Sequence, residues 1–135
     1  MRSSFDYFEQ QFPSITNFGR LAEYYAENDP SASIWKSGLI SESIVSMIYK
    51  YDHIPEPSDR TAVTRINFLK WKKLLPNEIA TLMHNVRRAR NKAAHNGEGT
   101  TEKAKRILPA IYSLSVWFAT TYGNFQDPLD RKSVV

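Results

Sequence analysis

The chain of 135 residues has no cysteine, which excludes disulfide bonds and thiolate metal ligands. It also has no apolar run of the ~18–20 residues that a membrane-spanning helix needs. Its polar start, Arg2-Ser3-Ser4, lacks the apolar stretch of a signal peptide. Because a reducing compartment is compatible with the missing cysteines, we expect a cytoplasmic protein with no membrane association.

The sequence also lacks the common motifs of nucleotide and ester chemistry. There is no glycine-rich phosphate loop and no Gly-x-Ser-x-Gly turn, so nucleotide hydrolysis and serine hydrolase chemistry have no support. The three histidines, His53, His84 and His95, do not stand at metal-ligand spacing from acidic residues. We therefore predict no metal and no other cofactor, and we interpret His53 and His84 as surface residues.

No segment alternates apolar and polar residues as a strand does, and helical periodicity covers most of the chain. The predicted helices cover residues 4–12, 13–28, 30–51, 59–75, 76–96 and 101–122, and the first and fourth are the weaker ones. We predict an all-α fold, similar to a four-helix bundle with one or two short additional helices. A single domain would occupy residues 1–124, followed by a polar tail at residues 125–135.

The aromatic residues fit the apolar stripes of these helices better than a base-stacking surface. Trp35 and Trp117 are assigned to the core on this ground, and Trp71 is expected to cover the end of its helix. Gly38, in the middle of a long helix, indicates the close approach of a neighbouring element.

Positive charge is concentrated in one stretch of a chain whose net charge is only +4. Between His84 and Arg106 there are seven Lys or Arg residues and two Glu residues. A cluster of this kind is able to contact phosphates, although a solvated basic face is the commoner explanation. The candidate nucleic-acid-binding residues are Arg87, Arg88, Arg90, Lys92, Lys103 and Arg106.

Arg90 stands on or beside the apolar stripe of the central helix, four residues after Val86. An arginine at such a position needs a partner or a function, or else packs its stem at the helix end.

Chemically, an arginine can hold a phosphate, and a histidine such as His95 can move a proton near neutral pH. Asn91 could orient the histidine or a ribose hydroxyl. At five residues' spacing, Arg90 and His95 lie ~140° apart on an ideal helix, so they would converge only across a two-fold dimer axis. Alternatively, His95 is a capping or packing residue.

The stretch Arg90-Asn91-Lys92-Ala93-Ala94-His95 resembles the R-x4-H motif of HEPN domains. Over roughly residues 4–124 the order of short segments is also similar to one branch of that superfamily, the helical domain at the N-terminus of type I restriction R subunits. The segments that carry this resemblance are Phe5 to Phe12, Leu21-Ala22-Glu23, Asp29 to Ser33, Glu42, Leu75 to Ile79, Val86-Arg87, Asn91, Ala93-Ala94-His95 and Trp117 to Gly123. In that branch a glycine is usual at the position of Arg90, so this chain departs from it toward the ribonuclease members.

The resemblance implies a four-helix bundle that often pairs two-fold. In active HEPN ribonucleases the arginine and histidine cleave RNA without a metal, through attack by the ribose 2′-hydroxyl. Carried over to this chain, His95 would be the general acid or base, Arg90 (with Arg87) the phosphate clamp, and Asn91 the orienting group. Many members of the superfamily lack activity and serve as interaction or nucleic-acid-binding modules.

Three hypotheses for the function remain open at this point. The first is an accessory module, for assembly or nucleic-acid sensing, of a type I restriction-modification R subunit in anti-phage defence. The tail at residues 125–135 would then be a linker to nuclease and motor domains, and the partners would be nucleic acid and other restriction-modification subunits. The second is a metal-independent ribonuclease that uses Arg90, Asn91 and His95. The third is a purely structural dimerisation domain, and a homodimer is expected in all three.

Overall fold

The structure is a computed structural model that describes residues 2–96 and 99–123. A short 3-10 helix, Ser4–Phe8, precedes five α-helices. These are α1 (Pro13–Asn28), α2 (Pro30–Tyr51), α3 (Ala62–Trp71), α4 (Asn77–Asn96) and α5 (Thr101–Tyr122). The described residues contain no strand, so the predicted all-α fold is confirmed. The predicted tail at residues 125–135 lies outside the described part of the chain.

Side-chain caps mark where several helices begin. Asp29 alone separates α1 from α2, and its carboxylate accepts a hydrogen bond from the Ala32 backbone while Pro30 occupies the first turn. The Thr61 hydroxyl caps α3 in the same way, and the Thr100 hydroxyl caps α5 by accepting from the Lys103 backbone at 3.2 Å.

The core lies between α1, α2, α4 and α5, and its apolar side chains come from every one of the elements. Ile44 and Ile48 of α2, Met83 of α4, and Leu114 and Phe118 of α5 are completely buried. The 3-10 helix adds Phe5 and Phe8 to the same cluster. The four long helices therefore form one continuous core, and α3 packs against α4 at its side.

Two glycines allow close approaches that a side chain would prevent. A Cβ at Gly19 of α1 would overlap the Phe5 ring, so this glycine lets the 3-10 helix seat against α1. A Cβ at Gly38 of α2 would overlap the stem of Arg90 from α4. The close approach expected at Gly38 is confirmed, and the neighbour is a cationic side chain.

Four details differ from the sequence prediction. The helix predicted over residues 59–75 covers only Ala62–Trp71. The N-terminal helix is limited to Ser4–Phe8 and has 3-10 geometry, although Phe12 is still buried in the core. Trp35 is not a core residue, since 42% of its surface is exposed. Trp71 does not cover a helix end, since it is 73% exposed. Periodicity missed both tryptophans because it shows which face of a helix a residue lies on, and not how much of the side chain the neighbouring elements cover.

No helix in the described ranges combines the length and the apolar character needed to cross a bilayer.

We expect Ile44→Ala and Leu114→Ala each to lower the free energy of unfolding by about 2–5 kcal/mol, because each removes a completely buried side chain and leaves a cavity. Denaturant titration would measure the loss. Tyr24→Ala, at a side chain that is 62% exposed, is the matched control and should change stability by less than about 0.5 kcal/mol. Losses below that value at Ile44 and Leu114 would contradict the packing described above.

Candidate functional site

The candidate residues of α4 divide between opposite flanks of that helix. On a helical wheel, Val86, Arg87, Arg90 and Asn91 occupy one flank, which faces α2 and α3. Asn85, Arg88, Ala89 and Lys92 occupy the other flank, which faces α5. One basic helix end therefore contributes to two separate surfaces.

Arg90 lies across one face of α2 and is the most heavily engaged cation of the cluster. Its guanidinium forms an ion pair with Glu42, and its guanidinium carbon lies 4.0 Å from the centre of the Trp35 ring. Its stem rests against Gly38. Because these three residues stand at spacings of three and four, they lie on one face of α2 and contact the arginine together. Burial lowers the pKa of the guanidinium, but an arginine keeps its charge.

A cavity of about 310 Å³ lies beside this crossing, enclosed by α2, α4 and the first turn of α3. Arg87, Arg90 and Asn91 line it together with Glu42 and Arg65. Arg65 is held by two-pronged hydrogen bonds to Glu56 at 2.8–3.2 Å, and its guanidinium lies 5.1 Å from the Tyr49 ring centre. Three of the predicted site residues are thus brought to one concave surface.

His84 connects α4 to α3 next to this cavity. Its Nε2 lies 3.0 Å from the side-chain oxygen of Asn67, and its Nδ1 accepts a hydrogen bond from Arg87 at 3.4 Å. Burial lowers the pKa of the His84 imidazole, and the charges of Arg87, Arg88 and Lys70 lower it further. His84 is therefore a neutral structural link near pH 7, and Arg87 is partly occupied by it.

The opposite flank of α4 forms a second concave surface with α5, which we call the basic groove. Arg88 and Lys92 of α4 and Lys103 and Arg106 of α5 line it, with a volume of about 270 Å³. Arg88, Lys92 and Arg106 are exposed, and Arg106 also pairs with the exposed Glu102 at 3.0 Å. Four of the six predicted nucleic-acid-binding residues therefore meet in one groove, although they come from two helices.

His95 lies in the last turn of α4 and is exposed. Within residues 2–96 and 99–123 the structure records no side-chain hydrogen bond or ion pair for it, and none between its ring and Arg90. The wheel places His95 ~140° from Arg90 in one chain, as the spacing predicted. In the same ranges, no three histidine or acidic side chains are grouped closely enough to hold a metal ion.

Glu42 and Trp35 were not among the predicted site residues, although they hold Arg90. In the sequence, Gly38 indicated that a neighbouring element approaches α2 closely, but it did not identify that element. The positions of Trp35, Gly38 and Glu42 on one face of α2, opposite an arginine on an apolar stripe, are the pattern that would have found the crossing.

Residues 20–124 of the chain match the family model described as Domain of unknown function (DUF4145). The chain belongs to the DUF4145 family. The matched range runs from the middle of α1 past the end of α5, so both surfaces of α4 fall within the DUF4145 domain. No curated protein and no solved structure matches the chain.

We expect Arg90→Ala to lower the free energy of unfolding of this DUF4145 domain by about 1–3 kcal/mol, because it removes a buried stem, a cation–π contact and an ion pair. Arg90→Lys should recover part of the loss, since lysine keeps the charge but not the flat stacking. Chemical denaturation would measure both.

Arg88→Ala, on the exposed flank of the same helix, is the control and should stay within about 0.5 kcal/mol of the parent. A double-mutant cycle with Trp35→Leu should give a coupling energy of about 0.5–2 kcal/mol. Additive losses at Arg90 and Trp35 would mean that the stacking contributes nothing.

Proposed function

We propose that this DUF4145 domain is a nucleic-acid-binding accessory module, and that it serves a type I restriction-modification R subunit as its assembly or sensing domain. The domain does not supply a nuclease or motor of its own. The observation that carries the proposal is the basic groove, where cations of two helices face the same solvent-filled space.

The charges of the basic groove suit a phosphate backbone. Arg88, Lys92 and Lys103 have no acidic partner among the described ion pairs, and only Arg106 shares its charge with Glu102. Phosphate contacts from Lys and Arg release counterions, and this supplies most of the affinity in sequence-independent binding. Among the described residues, four cations and one acidic neighbour meet at the groove, and this charge balance favours a polyanion.

The other flank of α4 supports binding rather than catalysis in the single chain. Arg90, the residue that would clamp the reacting phosphate, is already paired with Glu42 and stacked on Trp35. The Glu42 carboxylate already balances the charge of this cation, and the ring of Trp35 holds its flat face, so less of its charge is available to a substrate phosphate. Its present contacts are those of a residue that stabilises the crossing of α2 and α4.

The context of a restriction R subunit and the HEPN type of the fold rest on the resemblance described above. The R-x4-H motif, the segment Asp29 to Ser33 and Glu42 in the long helix all take part in that resemblance. The arrangement of four long helices with a buried common core is compatible with the HEPN type. Type I restriction systems handle DNA, and a basic surface beside the enzyme's other domains would suit that task.

We expect the domain to bind nucleic acid with a strong salt dependence. If the four cations of the basic groove each contact a phosphate, log K should fall with log [salt] with a slope of about −3. Fluorescence anisotropy with labelled DNA and RNA, from low to moderate salt, measures the slope. The double variant Arg88→Gln/Lys92→Gln should weaken binding and make the slope less negative by about 1.5.

The control variant is Lys50→Gln/Arg60→Gln, which removes the same charge from exposed positions outside the groove. It should leave the slope nearly unchanged. Equal effects of the two double variants would show a diffuse response to net charge, and no binding at low salt would refute the proposal.

The second candidate function is the metal-independent ribonuclease. The observation in its favour is the cavity of about 310 Å³, where Arg87, Arg90 and Asn91 converge. His95 would then come from the partner chain of a homodimer, because in one chain it lies on a different face of α4. Glu42 would act as a restraint that releases Arg90 when RNA phosphate enters.

We expect the accessory module to leave end-labelled single-stranded RNA intact in EDTA, because its Arg90 is held by Glu42 and Trp35. Gel electrophoresis of the RNA checks this. Cleavage by the parent that is abolished by His95→Ala would establish the ribonuclease instead. Since His95 is exposed, His95→Ala should leave the melting temperature nearly unchanged, so a loss of cleavage could not be ascribed to unfolding.

A further inference from the structure

Trp71, the last residue of α3, is the most exposed of the large hydrophobic side chains in the described chain. It is 73% exposed, whereas Phe68 on the same helix stacks against it at 5.8 Å with an interplanar angle of 27°. The ammonium group of Lys72 lies 5.9 Å from the Trp71 ring centre. A large ring supported from one side and open to solvent is placed to receive another flat group.

Trp71 forms one wall of an open groove of about 940 Å³, which we call the tryptophan groove. Trp117 of α5 lines it as well, together with Lys70 and Lys73. The amides of Asn67 and Asn77 supply neutral donors and acceptors at its edge. None of the described residues that line it is acidic, so this part of the groove combines aromatic surface with positive charge.

Lys73 occupies a backbone conformation that usually belongs to glycine. Its φ is 62°, and the hydrogen bonds from the Lys73 and Leu74 backbones to Lys70 and Leu69 form a Schellman end to α3. Glycine would adopt this conformation without the steric cost of a Cβ. The chain thus carries a cation at the lip of the tryptophan groove in place of the residue that the backbone prefers.

The tryptophan groove lies along the same seam as the basic groove. Asn77, at the start of α4, and Trp117 and Thr121, near the end of α5, line the first groove. Asn85 and Ile107 line the nearer end of the second groove. Because α4 and α5 run antiparallel, a rise of ~1.5 Å per residue separates the two grooves by roughly 12–20 Å.

We propose that the tryptophan groove binds single-stranded nucleic acid by stacking a base on Trp71, with neighbouring phosphates on Lys70 and Lys73. The strand then continues along the α4–α5 seam into the basic groove. This inference rests on the proposed function and adds the strand type and the site of base contact.

The chemistry of the groove favours a single strand over a duplex and over a protein. Stacking needs an unpaired base, and the bases of a duplex present only their edges in the grooves. A protein partner that buried Trp71 would also have to bring acidic groups to Lys70, Lys72 and Lys73, and it would leave the continuity with the basic groove unused. A phosphate backbone satisfies both surfaces at once.

The test compares single-stranded RNA of about ten nucleotides with a duplex of the same sequence. Anisotropy at fixed low salt measures the affinities of the parent, Trp71→Ala and Tyr24→Ala. Trp71→Ala should weaken single-strand binding about 5- to 150-fold and leave duplex binding unchanged. Tyr24→Ala is the matched control, an exposed aromatic on α1 that is 62% exposed, and it should change neither affinity.

Lys73→Gly separates charge from folding. It should make the salt slope for the single strand less negative by about 0.7, while the melting temperature stays the same or rises, because glycine fits the left-handed conformation. A slope that does not change would remove Lys73 from the proposed contact.

The outcomes distinguish this inference from the function on which it rests. If Arg88→Gln/Lys92→Gln weakens single-strand binding and Trp71→Ala does not, the inference is overturned and the proposed function stands. Equal weakening of single strand and duplex by Trp71→Ala would also overturn it, since stacking needs an unpaired base. A change of oligomeric state with unchanged RNA affinity would assign Trp71 to a protein contact. If the parent binds neither of these RNAs and no labelled DNA at low salt, both proposals fail.

Discussion

The position of Arg90 across α2 is the interaction on which the arrangement of the two surfaces depends. A charged side chain in a partly buried place needs compensation, and here an acid, an aromatic ring and a missing Cβ on one face of α2 supply it together. Together with Met83 and Val86, which are completely buried in the core, this arginine fixes the rotation of α4 about its own axis. The flank that carries Arg88 and Lys92 must then face α5, where Lys103 and Arg106 complete the basic groove.

In this arrangement the residues of the R-x4-H motif belong to different surfaces, although they are close together in the sequence. Arg90 and Asn91 belong to the surface shared with α2 and α3, Lys92 belongs to the surface shared with α5, and His95 is exposed at the end of the helix. A motif that could be taken as one constellation is thus distributed around a helix. Whether this motif could take part in catalysis therefore depends more on the residues that contact its arginine than on the presence of the motif.

The sequence alone was sufficient to predict the helices and the buried core between them. It was not sufficient to predict which residues the charged and aromatic side chains contact. Periodicity located the helices because burial repeats with the helical period, as it does at the buried Ile44, Met83 and Leu114. The position of Arg90 beside the apolar stripe was visible too, but its partners lie 48 and 55 residues away in the chain, at Glu42 and Trp35. Such pairs depend on the crossing of two helices, which no local pattern encodes. Trp71 was misassigned for the same reason, since exposure is decided by what packs nearby.

The division of α4 into two flanks makes the length of this helix as important as its composition. One residue inserted or deleted between Met83 and Asn85 would rotate the following turns by ~100° relative to the preceding ones. Arg90 would lose its contacts with Trp35, Gly38 and Glu42, and the cations of the basic groove would turn toward other neighbours. An insertion of one uncharged residue would keep every existing side chain and the net charge, yet it would separate both surfaces from the helices that complete them. The number of residues in α4 therefore determines which of its side chains face α2 and which face α5.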